Sequence, residues 1–261
     1  MLTGALTGYV DVAQVVLYVF WAFFAGLIFY IQRESHREGY PVVSSIPGET
    51  ETVTSNGFPF PTPKEFRLYH GGVAYAPPGS KPRFPQGAVS ASNFPGAPLI
   101  PTGNPLIDGI GPASYAFRDD EPDLTIDGQN KFKPLRVALE YRVDPREPHP
   151  QGMRVIAADG LDIGSVIDVW IDEVEHEIVY LEVELDNVAV SPRVLVPQMY
   201  VRYRKRERQV FVRALAAVQF RDVPRTRHPD IVTRLEEDKI VGYFGGGSTL
   251  YGMPGRAGPF L

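Results

Sequence analysis

Apolar positions along this chain fall into three regimes, and each predicts a different kind of element. From Val12 to Ile31 they are almost continuous, with Gln14 the only strongly polar side chain. From Pro41 to Pro112 aromatic residues recur at irregular spacing between prolines. After Pro134 the period becomes two. In "IVYLEVEL", Val179, Leu181, Val183 and Leu185 fall on one side of a strand, with Tyr180, Glu182 and Glu184 on the other. "SVIDVWID" behaves in the same way, with Asp168, Trp170 and Asp172 opposite Ile167, Val169 and Ile171.

The first regime predicts a transmembrane helix over 12–32. Twenty residues at about 1.5 Å each span about 30 Å, the thickness of a bilayer's hydrocarbon core. A cleaved signal would have a basic start and a shorter apolar stretch, whereas "MLTGALTGYVD" carries no Lys or Arg. Tyr9, Tyr18, Trp21 and Tyr30 add aromatic material, some of it near the interfaces. Arg33 and Arg37 follow the span, so the positive-inside rule places residues 1–11 outside and the bulk of the chain in the cytoplasm; Glu34 and Glu38 weigh little against them. The same two arginines are lipid-headgroup candidates. Ala22, Ala25 and Gly26 form a small-residue stripe that suits a packed helix and a lipid-facing one equally.

The second regime, 33–133, holds 14 of the 25 prolines between Pro41 and Pro112. Proline removes backbone donors and fixes φ, which argues against regular helices and central strands. Phe58, Phe60, Phe66, Tyr69, Tyr75, Phe84 and Phe94 argue against simple disorder. The expectation is an extended, ordered coil that lies against another surface and buries its aromatics there, a surface the resemblance described below implies to be that of partner subunits. "PTGNPLIDGIGPASYAFR" (101–118) reads as tight turns, and its "GIGPAS" lacks the ending of a phosphate-binding loop.

The third regime predicts a β domain over 134–228. Besides the two strands above, "MRVIA", "RVLVP", "MYVRYR" and "QVFVRAL" are short strands, separated by turn signals at Asp159-Gly160 and Asp186-Asn187. Such spacing predicts a small antiparallel barrel or sandwich. Residues 229–261 supply a C-terminal helix and a Pro/Gly-rich tail from Gly252. In the helix, Thr233 and Glu236 have capping-box spacing, Leu235, Ile240 and Tyr243 form a short apolar face, and three glycines end the run.

Composition narrows the function classes. The chain has no cysteine, which excludes disulfides, thiolate metal sites and a cysteine nucleophile. Its net charge of −5 argues against general nucleic-acid binding. "RYRKRER" (202–208) therefore reads as a solvated strand end and turn. The five histidines, His36, His70, His149, His176 and His228, have no ligand spacing, and no nucleophile elbow, P-loop or dinucleotide fingerprint is present. These features oppose independent catalysis.

Six segments together carry a resemblance: "FWAFFAGLIFYIQRESHREGYP", "NGFPFPTPKEFRLYHGG", "PTGNPLIDGIGPASYAFR", "NKFKPLRVA", "DVWIDEVEH…LEVEL" and "LEEDKIVGYFGGGSTLY". In this order the chain resembles the H subunit of the purple-bacterial photosynthetic reaction centre, and residues from about Gly152 to Val223 resemble the PRC-barrel. The resemblance implies a single-pass protein of the photosynthetic inner membrane whose cytoplasmic domain caps the L and M subunits. It implies a role in stabilising the complex, shielding the primary quinone region and delivering protons to the secondary quinone. Bacteriochlorophyll, bacteriopheophytin, quinones, non-haem iron and carotenoid are expected on L and M, with none bound by this chain alone. Core light-harvesting antenna polypeptides and membrane lipids are expected neighbours, and a bound cytochrome subunit stays open.

The resemblance also implies proton-transfer candidates. Asp172 and Glu175 match the acidic positions near the proton entrance, and Lys131 and Asp127 lie in the loop "TIDGQNKFKP". That loop departs from the family, which carries a histidine pair where this chain has Asp127 and Gln129. The departure implies weak divalent-metal binding there and makes His176 a replacement candidate. The alternative function is a membrane-anchored PRC-barrel module that recruits a cytoplasmic partner.

Overall fold

The N-terminal apolar run forms one helix, α1 (Val12–Ser35). In this computed structural model, residues 11–37, 42–43, 52–53, 62–69, 71–76, 87–94, 97–186 and 193–248 are described. The sequence readings for Tyr9, Glu38, Phe58, Phe60, Phe84, His70, Asn187 and the tail from Gly252 fall outside them. Gln14, the one polar side chain in the run, has a local explanation. It is the third residue of α1 and closes a capping box with Asp11, whose carboxylate accepts from the Gln14 N–H at 2.8 Å. No residue of α1 is buried, and at 24 residues it is long and apolar enough to cross a bilayer.

Contacts divide the chain into two compact units. One comprises Met1–Phe84 and Phe94–Gly96, the other Pro85–Asn93 and Ala97–Leu261.

In the first unit, α1 is followed by two antiparallel pairs: β1 (Val42–Val43) with β2 (Thr52–Val53), and β3 (Lys64–Arg67) with β4 (Val73–Ala76). The segment is thus not coil throughout. Pro63 and Pro77 bracket the second hairpin, and a two-stranded ladder needs donors on only one edge of each strand. Arg37 ties the end of α1 to this hairpin. Its guanidinium pairs with Glu34 at 2.8 Å and donates to the carbonyls of Thr62 and Ala76. Phe66, Tyr69, Tyr75 and Phe94 are all exposed in the chain by itself.

The second unit opens with an antiparallel pair, β5 (Ala88–Ser90) and β6 (Leu99–Pro101). One turn of helix, α2 (Pro105–Asp108), follows. Asn104 caps its start and Gly109, in the left-handed region at φ 65°, ends it. The tight turns read from "PTGNPLIDGIGPAS" are therefore present.

The remaining strands build one sheet: β7 (Phe132–Pro134), β8 (Arg154–Ile156), β9 (Asp162–Asp172), β10 (Glu177–Leu185), β11 (Arg193–Pro197), β12 (Val201–Arg204) and β13 (Gln209–Val212). The spatial order is β11-β10-β9-β8-β13-β12, with β7 on the far end of β9. All described pairs are antiparallel except β8 with β13.

Alternation in β9 and β10 sets the side chains as the sequence pattern requires, but the face that carries the acids is mostly covered, with Glu184 exposed at its end. Asp168, Trp170, Asp172, Tyr180 and Glu182 are all buried. Arg136 bonds both Asp168 and Glu182, Gln151 bonds Asp168, and the 229–230 segment holds Arg136 in turn.

The last element is α3 (Arg234–Gly246), with the predicted Thr233–Glu236 capping box. Ile240, Tyr243 and Phe244 are buried; Leu235, placed on the apolar face by sequence, is only half-buried. The helix ends inside the glycine run as expected, though without a left-handed cap. Gly245 and Gly246 are helical and Gly247 stays in the right-handed region at φ −58°. These glycines also permit close approach. A Cβ on Gly246 would lie 2.5 Å from the Ala113 Cβ, and one on Gly242 would lie 3.0 Å from the Ala113 and Ser114 carbonyl oxygens.

Candidate functional site

Asp172 ends β9 and stands at the mouth of the β9–β10 turn. Its Oδ1 accepts from the Val174 N–H at 2.8 Å and the Glu175 N–H at 3.1 Å, and Lys131 Nζ lies 3.2 Å from Oδ2. The carboxylate therefore does turn-closing work and is buried, although sequence alone suggests a solvated acid. Glu175 and His176 are exposed in the turn itself. His176 takes a left-handed conformation at φ 56°, its N–H donates to the Asp172 carbonyl at 2.9 Å, and its ring leans on Tyr141 at 5.6 Å. Asp127 sits exposed at the tip of the 125–129 turn.

The structure brings together Lys131 and Asp172, with Glu175 tied to Asp172 through its backbone. The side chains of Asp127 and His176 stand apart on two turns. Arg33 is exposed in the last turn of α1, whereas Arg37 is engaged by Glu34 and the hairpin carbonyls.

Glu237 was not singled out by the sequence reading, yet it joins this region. Burial pushes its carboxyl above the ordinary glutamate value, and nearby Asp238 and Asp123 push it further. The Tyr180 hydroxyl hydrogen-bonds to it, partly offsetting the rise. Tyr180 is itself raised by burial and stays a donor. Asp123 sits on the same stretch as Lys131, its backbone carbonyl accepting from the Lys131 backbone N–H at 2.8 Å. The available signal was helical spacing: Glu237 is three residues before buried Ile240 and seven before buried Phe244, so it lies on the apolar stripe.

A raised carboxyl binds its proton more tightly in the folded state, so stability falls as pH rises above the ordinary glutamate value. Replacing Glu237 by Gln is expected to raise the thermal midpoint near pH 8 and leave it almost unchanged near pH 4. Melts at the two pH values check this; an equal shift at both would contradict it.

A second polar cluster lies under the sheet face. Asp168 and Glu182 are directly opposed across β9 and β10. Arg136 bridges them, 3.0 Å from Asp168 Oδ2 and hydrogen-bonded to Glu182 Oε2, and also pairs with Asp230. Gln151 donates to Asp168 at 2.8 Å and the Trp170 indole N–H to Glu182 at 3.1 Å. Among the described residues no group of three or more His, Asp or Glu side chains is arranged to hold a metal ion.

This sheet defines a class first: residues 149–219 match the family model of the PRC-barrel domain. Residues 4–137, about half of the chain, match that of the photosynthetic reaction centre, H-chain N-terminal region. The chain belongs to the reaction-centre H-chain family. It is accordingly a structural subunit that associates with the L and M subunits, and its apolar helix places it at a membrane.

Proposed function

We propose that the chain caps the cytoplasmic side of the L and M subunits and supports electron transfer between their quinones by conducting protons to the secondary quinone. The observation that carries this reading is the Lys131–Asp172 ion pair behind an exposed turn, with the half-buried Glu237 carboxyl, near Asp123 and Asp238, raised above the ordinary glutamate value. Reducing a quinone to quinol consumes two protons for two electrons, so a cap that excludes water must also offer those protons a polar path. Glu175, His176 and Asp127, all exposed, are the collecting groups. Lys131 and Asp172 form an ion pair behind them, and the raised carboxyl of Glu237 is suited to accept and return a proton nearer neutrality.

The exposed aromatics Phe66, Tyr69, Tyr75 and Phe94 are the surface that L and M cover in this reading. Arg33, at the end of the membrane helix, meets lipid headgroups on the cytoplasmic side, with the N-terminus periplasmic. Bacteriochlorophyll, bacteriopheophytin, quinones, non-haem iron and carotenoid are assigned to L and M, and core antenna polypeptides to the periphery.

In assembled reaction centres, the double variant Asp172→Asn, Glu175→Gln is expected to slow the second electron transfer to the secondary quinone by about tenfold or more, with charge separation intact. Flash-induced absorbance kinetics measure both steps. A double variant with native second-transfer kinetics would remove these two residues from the path.

A further inference from the structure

We infer that the outer edge of β12 accepts an extended acidic segment of a partner polypeptide, with carboxylates at every second position, as an added strand. β12 ends the spatial order of the sheet, and among the described residues no strand pairs with its outer side. Every second residue of Val201–Arg204 therefore turns its N–H and C=O away from β13. Such an edge is a template for one more strand.

The side chains decide which strand fits. Arg202 lies opposite Phe211 and Arg204 opposite Gln209, so both arginines stand on one face. The Arg204 guanidinium rests over the Phe211 ring at 4.6 Å, which leaves its N–H edge free to donate. Val201 and Tyr203 turn to the other face and pack on the core. A strand laid beside β12 would thus set one face against guanidinium groups and the other beside apolar side chains. Carboxylates alternating with apolar residues match both.

The charge around this edge is open. Arg202, Arg204, Lys205, Arg206, Arg208 and Arg213 are all exposed on the β12–β13 hairpin or next to it. The carboxylates that reach them are Glu207, 3.7 Å from Arg204, and Glu147, 3.8 Å from Lys205. Both distances are beyond a good hydrogen bond. Arg202, Arg206, Arg208 and Arg213 have no acidic partner among the described residues. Arg154 on the adjoining β8 pairs with Asp162 and Asp186, which subtracts only one charge from the excess. Arg208 also closes the hairpin in the left-handed region at φ 50°, where glycine or asparagine is the unstrained choice. A cation is kept at the tip despite that cost.

Cations on a bare edge repel ordinary strands and so guard against random pairing. Toward a strand of carboxylates the same charges attract, which makes the edge selective. A lipid headgroup would use the charges but leave the backbone edge unpaired, and the net charge of −5 on the whole chain disfavours nucleic acid. This surface takes no part in the proton path proposed above.

The test uses assembled reaction centres in neutral detergent and a dye-labelled peptide of alternating Glu and Val, with binding read by fluorescence anisotropy at low salt. Saturable binding is expected, and none with a peptide of alternating Lys and Val. The Glu/Val peptide N-methylated throughout keeps its charge but loses its backbone donors, and is expected to bind at least about tenfold more weakly. The double variant Arg202→Gln, Arg204→Gln should weaken the parent peptide about tenfold. Arg33→Gln, at an exposed arginine of the first unit, is the charge control and should have no effect. No saturable binding, equal binding of the methylated peptide, or equal loss in the control overturns the proposal. Tighter binding of phosphatidylglycerol in mixed micelles, lost in the same double variant, would give the surface to lipid and overturn it as well. Circular dichroism checks that each variant is folded.

Discussion

Replacing Arg136 by Met is expected to destabilise the second unit by about 3–5 kcal/mol, the usual cost of stripping a buried ion network of one sign. The reason lies in the register of the sheet. Asp168 and Glu182 face each other across β9 and β10, both nearly inaccessible, and like charges in that position repel. Arg136 stands between them, and its own N–H adds a further bond to Asp168 Oδ2 at 3.2 Å. Without the guanidinium, two carboxylates remain in a low-dielectric layer, answered by Gln151, the N–H groups of residues 136 and 169, the Trp170 indole and the more distant Arg193. Urea unfolding followed by Trp170 emission measures the loss. Adding Asp168→Asn and Glu182→Gln to the same chain should recover most of it, because the variant then buries no charge. A methionine variant as stable as the parent would mean that the network is solvated in solution.

Gly164→Ala should be similarly damaging, on the order of 3 kcal/mol or more, for a backbone reason. Gly164 sits in β9 opposite Leu185 with φ at 155°, and a Cβ there would lie 1.9 Å from the Glu184 carbonyl oxygen. That atom belongs to a paired strand and has little freedom to retreat. Gly160 is the natural control. It also has positive φ, 83°, but a Cβ would meet nothing within 4 Å, so Gly160→Ala should cost only the conformational penalty of about 1 kcal/mol. Equal losses at the two sites, by the same urea measurement, would show that the β9–β10 approach is looser than described.

Period and punctuation made the strands legible. The runs around Val155, Val169, Val183, Leu195, Tyr203 and Phe211 all lie in strands, and Thr233 with Glu236 marks the start of α3. What the alternation did not reveal was the second cover over β9 and β10. A strand pattern states which side chains share a face, not whether distant segments such as 134–136 and 229–230 return to bury it. For the same reason Asp172 reads as a surface acid although the turn encloses it. Glycines 245–247 mark the helix end as read, but for more than conformational freedom: at Gly246 the missing Cβ also serves the contact with Ala113. The proton-path candidates came from the family resemblance, and Glu237 emerges only when tertiary burial is known.

The seam between α3 and residues 111–114 joins parts of the chain made far apart in time. The Thr233 hydroxyl bonds Asp120 across 113 positions, and Gly242 and Gly246 rest on Ala113 and its neighbours. A ribosome thus releases every strand of the sheet before the helix that closes it. Until α3 emerges, Tyr180 lacks its Glu237 partner, and the nascent domain must wait with an open flank. Long-range closure of this kind slows folding and lengthens exposure to aggregation, so a stalled or shortened transcript should yield a chaperone client rather than a working intermediate.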